Sequence, residues 1–310
     1  MDEFQLIEHF FRPQGKGPGV LVGPGDDAAL LQPSEGCQLV MTMDTLVSGR
    51  HFPEDFSAFD IGWRSLAVNL SDLAAMGAVP RWCLLSLSLP DADEQWLKEF
   101  CEGFYALAKE EGITLEGGDM VRGALQITVQ ATGEVPAGRA LLRSGARTGD
   151  RICIGGVPGE AALGLRHWQA GVRDGDAVAS FTCPRPQMKL GKKLRGMASA
   201  CIDISDGLLA DLQHILDESG RGVTQAPGAI IKLASLPVSA AIEGEADMAI
   251  RHKAQLSGGD DYLLLFTLPS MFNVPQGCYE IGRVTTESGL RVLDENGAPI
   301  DVNVKGWMHF

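Results

Sequence analysis

Aspartate recurs where chemistry is possible: in Gly25-Asp26-Asp27, Met43-Asp44, Gly118-Asp119, Asp203-Ile204-Ser205-Asp206-Gly207 and Gly258-Gly259-Asp260-Asp261. Taken singly, each stretch reads as a strand end or a tight turn, and Ser205 or Asp206 also suits a helix N-cap. A further acid, Asp72, lies in a run of apolar and small residues, Asn69-Leu70-Ser71-Asp72-Leu73-Ala74-Ala75-Met76-Gly77, with no Lys or Arg from Leu66 to Val79. It is either a solvated Asp on the wet face of an amphipathic helix or a carboxylate whose cation comes from elsewhere. Together the six stretches exceed what turns require. Carboxylates suit hard cations such as Mg²⁺, which takes oxygen ligands and is held by one or two carboxylates plus substrate phosphates. Several convergent carboxylates without lysines imply several such ions. An acidic chain can then hold a polyphosphate through metal.

The elements that must position these acids follow from periodicity. Apolar residues at helical spacing, with Gly77 as a stop, predict a helix over 61–77 that carries Asp72. Strands are predicted over 39–43, ending at Asp44, over 82–89 and over 125–135, with Gly117-Gly118-Asp119 just after a short strand. An amphipathic helix is expected over 93–111 and a short one over 4–11. The polar, glycine-rich stretch 136–150 marks a boundary between domains 1–137 and 138–310. Beyond it, strands are expected at 151–154, 201–204, 262–267 and 279–284, and helices at 160–169, at 187–200 (with Lys189, Lys192, Lys193 and Arg195) and after Asp206-Gly207. Residues 174–184 read as loop. Residues 291–302 read as a hairpin turning at Asn296-Gly297. Strands and helices mix without strict βαβ alternation, which favours α+β domains.

Composition narrows the function classes. The chain has 310 residues, 45% hydrophobic and 21% charged, with a formal net charge of -14. That suits a globular protein with a sizeable core and excludes bulk-charge binding to nucleic acid or anionic membranes. Seven scattered cysteines without a C-x-x-C point to reduced thiols and a cytoplasmic protein. The first residues carry acids and no apolar run, so no signal peptide is expected, and no run reaches the roughly 20 residues of a membrane span. There is no P-loop; Lys16 lies in a glycine-rich stretch at the wrong spacing. Gly155-Gly156-Val157-Pro158-Gly159, between a strand and a helix, is either a tight turn or a cradle of amides for a phosphate.

The residues also carry a likeness. Gly25-Asp26-Asp27-Ala28-Ala29, Asp44-Thr45-Leu46-Val47, His51-Phe52, residues 69–77, Gly117-Gly118-Asp119, Arg139-Ala140-Leu141-Leu142-Arg143-Ser144-Gly145-Ala146, residues 203–207 and residues 257–262 occur in the order and spacing of the thiamine-monophosphate kinases. These enzymes belong to the aminoimidazole-ribonucleotide-synthetase-like superfamily, and the likeness covers nearly the whole chain. It implies a two-domain α+β fold with an N-terminal sheet that pairs with its copy in a homodimer and a C-terminal α/β sandwich. The implied activity converts ATP and thiamine monophosphate to ADP and thiamine diphosphate with several Mg²⁺ ions. By position, Asp27, Asp44, Asp72, Asp119, Asp203 and Asp206 match the family's magnesium ligands. Gly118, Asp119, Arg143 and Ser205 match its ATP site, and His51, Asp260 and Trp307 its contacts to thiamine phosphate. Asp72 is then expected to face Asp27, Asp44 and Asp119 across a cleft.

Two positions depart from the family. Met43 replaces a Ser or Thr, so Thr42 is the hydroxyl left to help hold a metal, and Asp260 replaces the more frequent Glu. A phosphate acceptor is largely dianionic at pH 7 and needs no general base. The obstacle is repulsion between two anions, which metal ions and Arg143 would relieve in a direct in-line transfer. The rival readings are another synthetase of the superfamily and a non-catalytic cation-binding protein. No Cys precedes Cys37 and the chain ends in Phe310, against the selenophosphate and hydrogenase-maturation types.

Overall fold

The computed structural model describes residues 3–11 and 17–301, with Glu3 and Phe4 described by backbone alone. Two compact units emerge: residues 1–73 with 78–138, and residues 74–77 with 139–310. The architecture is α+β, as the sequence led us to expect.

The first unit opens with α1 (Glu3–Leu6), which continues as a π-wound turn, Ile7–Phe11. β1 (Val20–Val22) and β2 (Leu30–Leu31) pair as a small antiparallel ribbon. The main sheet consists of β3 (Cys37–Val47), β4 (Val79–Leu89), β5 (Thr114–Arg122) and β6 (Gln126–Pro136), with α2 (Ala58–Ala75) and α3 (Glu94–Glu111) as its helices. Strand order is β3-β6-β4-β5, so β3 and β5 are the two edges. α3 starts where Asp93 accepts the amides of Gln95 and Trp96, and it stops at Gly112, whose φ of 73 suits glycine. The two helices meet through glycine. A Cβ on Gly62 would lie 2.1 Å from the Phe100 carbonyl oxygen, and one on Gly103 would lie 2.0 Å from that of Phe59.

α2 departs from the amphipathic expectation. From Ile61 to Ala75 every residue is buried except Asp72, which is half-buried. Arg64, Ser65, Asn69 and Ser71 are among the buried ones. The helix has no wet face to which Asp72 could belong.

The second unit contains β7 (Arg151–Ile154), α4 (Glu160–Gln169), α5 (Asp176–Thr182), α6 (Met188–Leu194), β8 (Ala200–Asp203), α7 (Leu208–Gly220), β9 (Gly228–Lys232), α8 (Ala240–Gly244), α9 (Met248–Ser257), β10 (Leu264–Leu268), β11 (Tyr279–Thr285), β12 (Gly289–Leu293) and β13 (Pro299–Ile300). Its seven-stranded sheet runs β13-β12-β9-β11-β7-β10-β8, antiparallel except for β12 with β9. Ile152, Ile202, Leu265 and Ile281 from the sheet share a core with Leu208, Leu212 and Ile215 of α7. Gly297, with φ of 81, turns the β12–β13 hairpin as expected.

Several elements differ from the sequence expectation. Residues 174–184 contain a helix, α5, because Ala177, Val178 and Phe181 bury one face. The basic helix is only Met188–Leu194: Arg195 turns extended and Gly196 takes φ of 75. β9, α8 and α9 carried no recognised pattern.

Candidate active site

In the first unit, α2 brings two acids to one place on the sheet. The Thr42 hydroxyl donates to Asp72 Oδ2, and the Asp44 amide donates to Asn69 Oδ1 at 3.1 Å. Asn69 is held in turn by donating to the Ser65 carbonyl oxygen at 3.1 Å. The alternation of β3 puts Thr42 and Asp44 on the same side. Burial, and then the charge of Asp72, push the Asp44 carboxyl up to about 6. Among the described residues no hydrogen bond or ion pair reaches that carboxylate. Two close carboxylates with a hydroxyl, one of them short of partners, make the all-oxygen donor set that Mg²⁺ takes, so these residues fit the ion.

The structure corrects the strand-end grammar. Asp44 lies inside β3, paired with Val129, because β3 extends to Val47 against β6. Asp119 lies inside β5, paired with Ser86. That register sets Asp119 in line with Thr128 and Thr45, the neighbours of Asp44's row. Asp119 is exposed on the opposite edge strand and the opposite sheet face. Asp27 is exposed between β1 and β2, with its amide donating to Asp26 Oδ1. Within the described residues, Asp72 therefore meets Thr42 and Asp44, and neither Asp27 nor Asp119 joins them in one shell. Gly118 has a reason of its own, since a Cβ there would lie 1.8 Å from the Leu85 carbonyl oxygen. His51 caps the end of β3: the Val47 amide donates to its Nδ1 at 3.0 Å, leaving Nε2 to carry the proton of the neutral ring.

In the second unit two glycine–aspartate loops are clamped together. The Asp260 amide donates to the Ser205 carbonyl oxygen at 2.9 Å, and the Tyr262 amide to that of Ile204 at 2.8 Å. A Cβ on Gly259 would lie 2.3 Å from the Ser205 carbonyl oxygen, so only glycine permits this approach. Asp260 and Tyr262 take φ of 67 and 51, unusual for non-glycine residues, and the Tyr262 hydroxyl donates to Asp260 Oδ1 at 3.0 Å. Asp203, 3% exposed, ends β8 beside Leu264. Arg143 is exposed, and its neighbour Leu142 is pinned where its carbonyl accepts the Cys201 amide at 2.8 Å. Trp307 lies outside the described residues, as does Lys16.

Two carboxylates went unrecognised in the sequence. Asp211 Oδ2 accepts the amides of Ser205, Asp206 and Gly207, each at 3.1 Å. It therefore caps α7 in place of Ser205 or Asp206. Burial, with Asp206 nearby, pushes its carboxyl up to about 7. The Asp261 carboxylate accepts the amides of Gly159 at 2.6 Å and Ala161 at 3.2 Å, so the supposed phosphate cradle at 155–159 is filled by a side chain. The signals were an acid in the first turn of α7 and the second Asp of Gly-Gly-Asp-Asp.

The fold and this aspartate arrangement define an AIR-synthase-related protein: residues 25–135 match the AIR synthase related protein, N-terminal domain. Over 99% of its length the chain is 40% identical to the thiamine-monophosphate kinase of Escherichia coli (strain K12), covering 98% of that protein. The crystal structure of thiamine-monophosphate kinase from Stenotrophomonas maltophilia K279a is 43% identical, with a TM-score of 0.83, over 91% of this chain and 93% of that one. AaThiL complexed with AMPPCP and TMP is 30% identical, with a TM-score of 0.79, over 92% and 91%. The chain belongs to the thiamine-monophosphate kinase family.

Proposed function

We propose that this protein transfers the γ-phosphoryl group of ATP to thiamine monophosphate, giving ADP and thiamine diphosphate. The observation that carries the reading is the Thr42–Asp44–Asp72 cluster, a metal-ready donor set in a chain alike over its full length to kinases of that name. A relative crystallised with AMPPCP and TMP supports the substrate pair.

Asp27, Thr42, Asp44, Asp72, Asp119, Asp203 and Asp206 would hold several Mg²⁺ ions. For Asp27 and Asp119 this rests on motif position alone. Mg²⁺, when bound, supplies positive charge between two phosphate groups that otherwise repel. Arg143 adds a fixed charge at the developing transition state, and Gly118 and Ser205 contact ATP. His51, Asp260 and Trp307 orient the thiamine phosphate. Because the acceptor oxygen is already anionic, no side chain removes a proton, and transfer is direct and in-line.

The outer face of the β3-β6-β4-β5 sheet supports a homodimer. Leu39, Met41, Met43, Leu84 and Val121 are exposed there on one face, an apolar patch of the kind that marks an interface. No helix among the described residues is long and apolar enough to cross a membrane, and the free cysteines suit the cytoplasm.

A coupled assay for ADP across thiamine monophosphate, thiamine and aminoimidazole precursors tests the activity. Turnover is expected with the first alone; equal turnover with an aminoimidazole precursor would move the chain to another branch of the superfamily. Asp72→Asn keeps the shape and removes the charge. Its turnover at low Mg²⁺ should drop roughly 10²–10³-fold, the scale of losing a main electrostatic contact.

A further inference from the structure

We infer, resting on the reading of Asp260 as a contact to the thiamine phosphate, that Tyr262 is a positioning residue whose hydroxyl aims that carboxylate at the ring end of the substrate. The Tyr262 hydroxyl donates to Asp260 Oδ1 at 3.0 Å. Tyr262 is 7% exposed, whereas Asp260 is half-buried. A buried ring thus presents its polar tip to a carboxylate that a ligand can reach.

Backbone conformation is the second observation. Asp260 and Tyr262 take φ of 67 and 51, a left-handed region that few non-glycine residues enter. Such conformations persist only where the surroundings hold them, and they cluster at ligand clamps. Here the hold is separate from the phenol. The Asp260 amide donates to the Ser205 carbonyl oxygen and the Tyr262 amide to that of Ile204. Between them, the Asp261 carboxylate accepts the amides of Gly159 and Ala161. Three consecutive residues are pinned without the Tyr262 hydroxyl, so its bond to Asp260 sets the direction of the acid and not the path of the loop. Asp260 is one methylene shorter than the more frequent Glu, with less reach to spare if misdirected. A carboxylate fixed in direction before the substrate arrives loses less freedom on binding. Thiamine monophosphate carries its positive charge and its amino group on the rings and its negative charge on the phosphate. The ring end is therefore the part that an acid attracts.

The test is steady-state kinetics on the full chain with ATP, thiamine monophosphate and Mg²⁺. Tyr262→Phe keeps the ring and deletes the hydrogen bond. Its KM for thiamine monophosphate should rise about tenfold or more, the scale of a hydrogen bond to a charged group. Its kcat should stay within about threefold and its KM for ATP within about twofold, a split that lost fold stability would not give. Asp260→Ala should raise the KM for thiamine monophosphate at least as much. Adding Tyr262→Phe to Asp260→Ala should then change it less than about twofold, because the phenol acts only through the acid. An unchanged KM in Tyr262→Phe, an equal loss for ATP, or additive effects in the double variant would each overturn the positioning role and leave Asp260 as a substrate contact. Loss of the circular dichroism of a folded chain in Tyr262→Phe would make the hydroxyl structural and also overturn it. Asp260→Ala with the KM of wild type would overturn the contact itself, and the inference with it.

Discussion

Burial and the neighbouring Asp72 charge push the Asp44 carboxyl up to about 6, and that shift has a sign. A folded-state value above the unfolded one means that the fold favours the protonated form. The associated stability is fully present below about pH 4, the unfolded value, and is lost as pH rises through about 6. The metal-free protein should therefore weaken over that window, and Mg²⁺ should raise its melting temperature more at pH 7.5 than at pH 5. Asp44→Asn should abolish most of the Mg²⁺-dependent shift and stabilise the metal-free protein at pH 7 by up to about 3 kcal/mol. Scanning calorimetry with and without Mg²⁺ decides it; an equal shift at both pH values would count against a metal at Asp44. Glu116 is a second costly acid. It is 1% exposed, and neither carboxylate oxygen has a hydrogen-bond partner. Glu116→Met, similar in size and apolar, should stabilise the protein by about 1–3 kcal/mol in urea denaturation. A destabilised variant would show that the carboxylate is satisfied by something else.

At the scale of elements, the placing of Asp72 depends on how α2 meets α3. The crossing is close because Gly62 and Gly103 have no side chains: either Cβ would reach a backbone oxygen of the other helix. Backbone cannot yield as a flexible side chain can. Gly103→Ala should cost about 1–3 kcal/mol, the usual penalty of overpacking. It should also weaken Mg²⁺ binding, since displaced α2 carries Asp72 away from Thr42. Chemical denaturation and a Mg²⁺ titration measure the two effects, and a variant as stable as wild type would mean that the helices pack more loosely than described. In the second unit, Gly207 and Gly259 do the corresponding work for Ser205 and Asp260. They let two loops touch backbone to backbone, and the Tyr262 hydroxyl and the Asp211 carboxylate then hold the acids in place.

For the whole molecule, the exposed apolar face of the first unit's sheet is the feature that a single chain leaves unexplained. Leu39, Met41 and Met43 alternate along β3, and Leu84 and Val121 continue the same face across β4 and β5. Met41, 66% exposed, sits on that face, and a charge there would have to be desolvated in a dimer. Met41→Glu should convert a dimer to a monomer in light scattering after gel filtration, with the circular dichroism of a folded chain retained. An unchanged dimer mass would place the interface elsewhere.

The aspartate stretches, the family and most elements are legible in local sequence: helical spacing around Leu66, Leu70 and Leu73, the stop at Gly77, and motifs read in order. α5 is not legible there because seven residues give too little periodicity, nor is β9, whose pairing is set by distant partners. Which acids meet is settled by how the chain folds. Strand register, a non-local quantity, puts Asp44 under Asp72 and sends Asp119 to the far edge and opposite face. It also decided that Asp211 and Asp261 cap backbone amides, since a carboxylate's partner is chosen by the chain that folds against it and not by its neighbours in sequence.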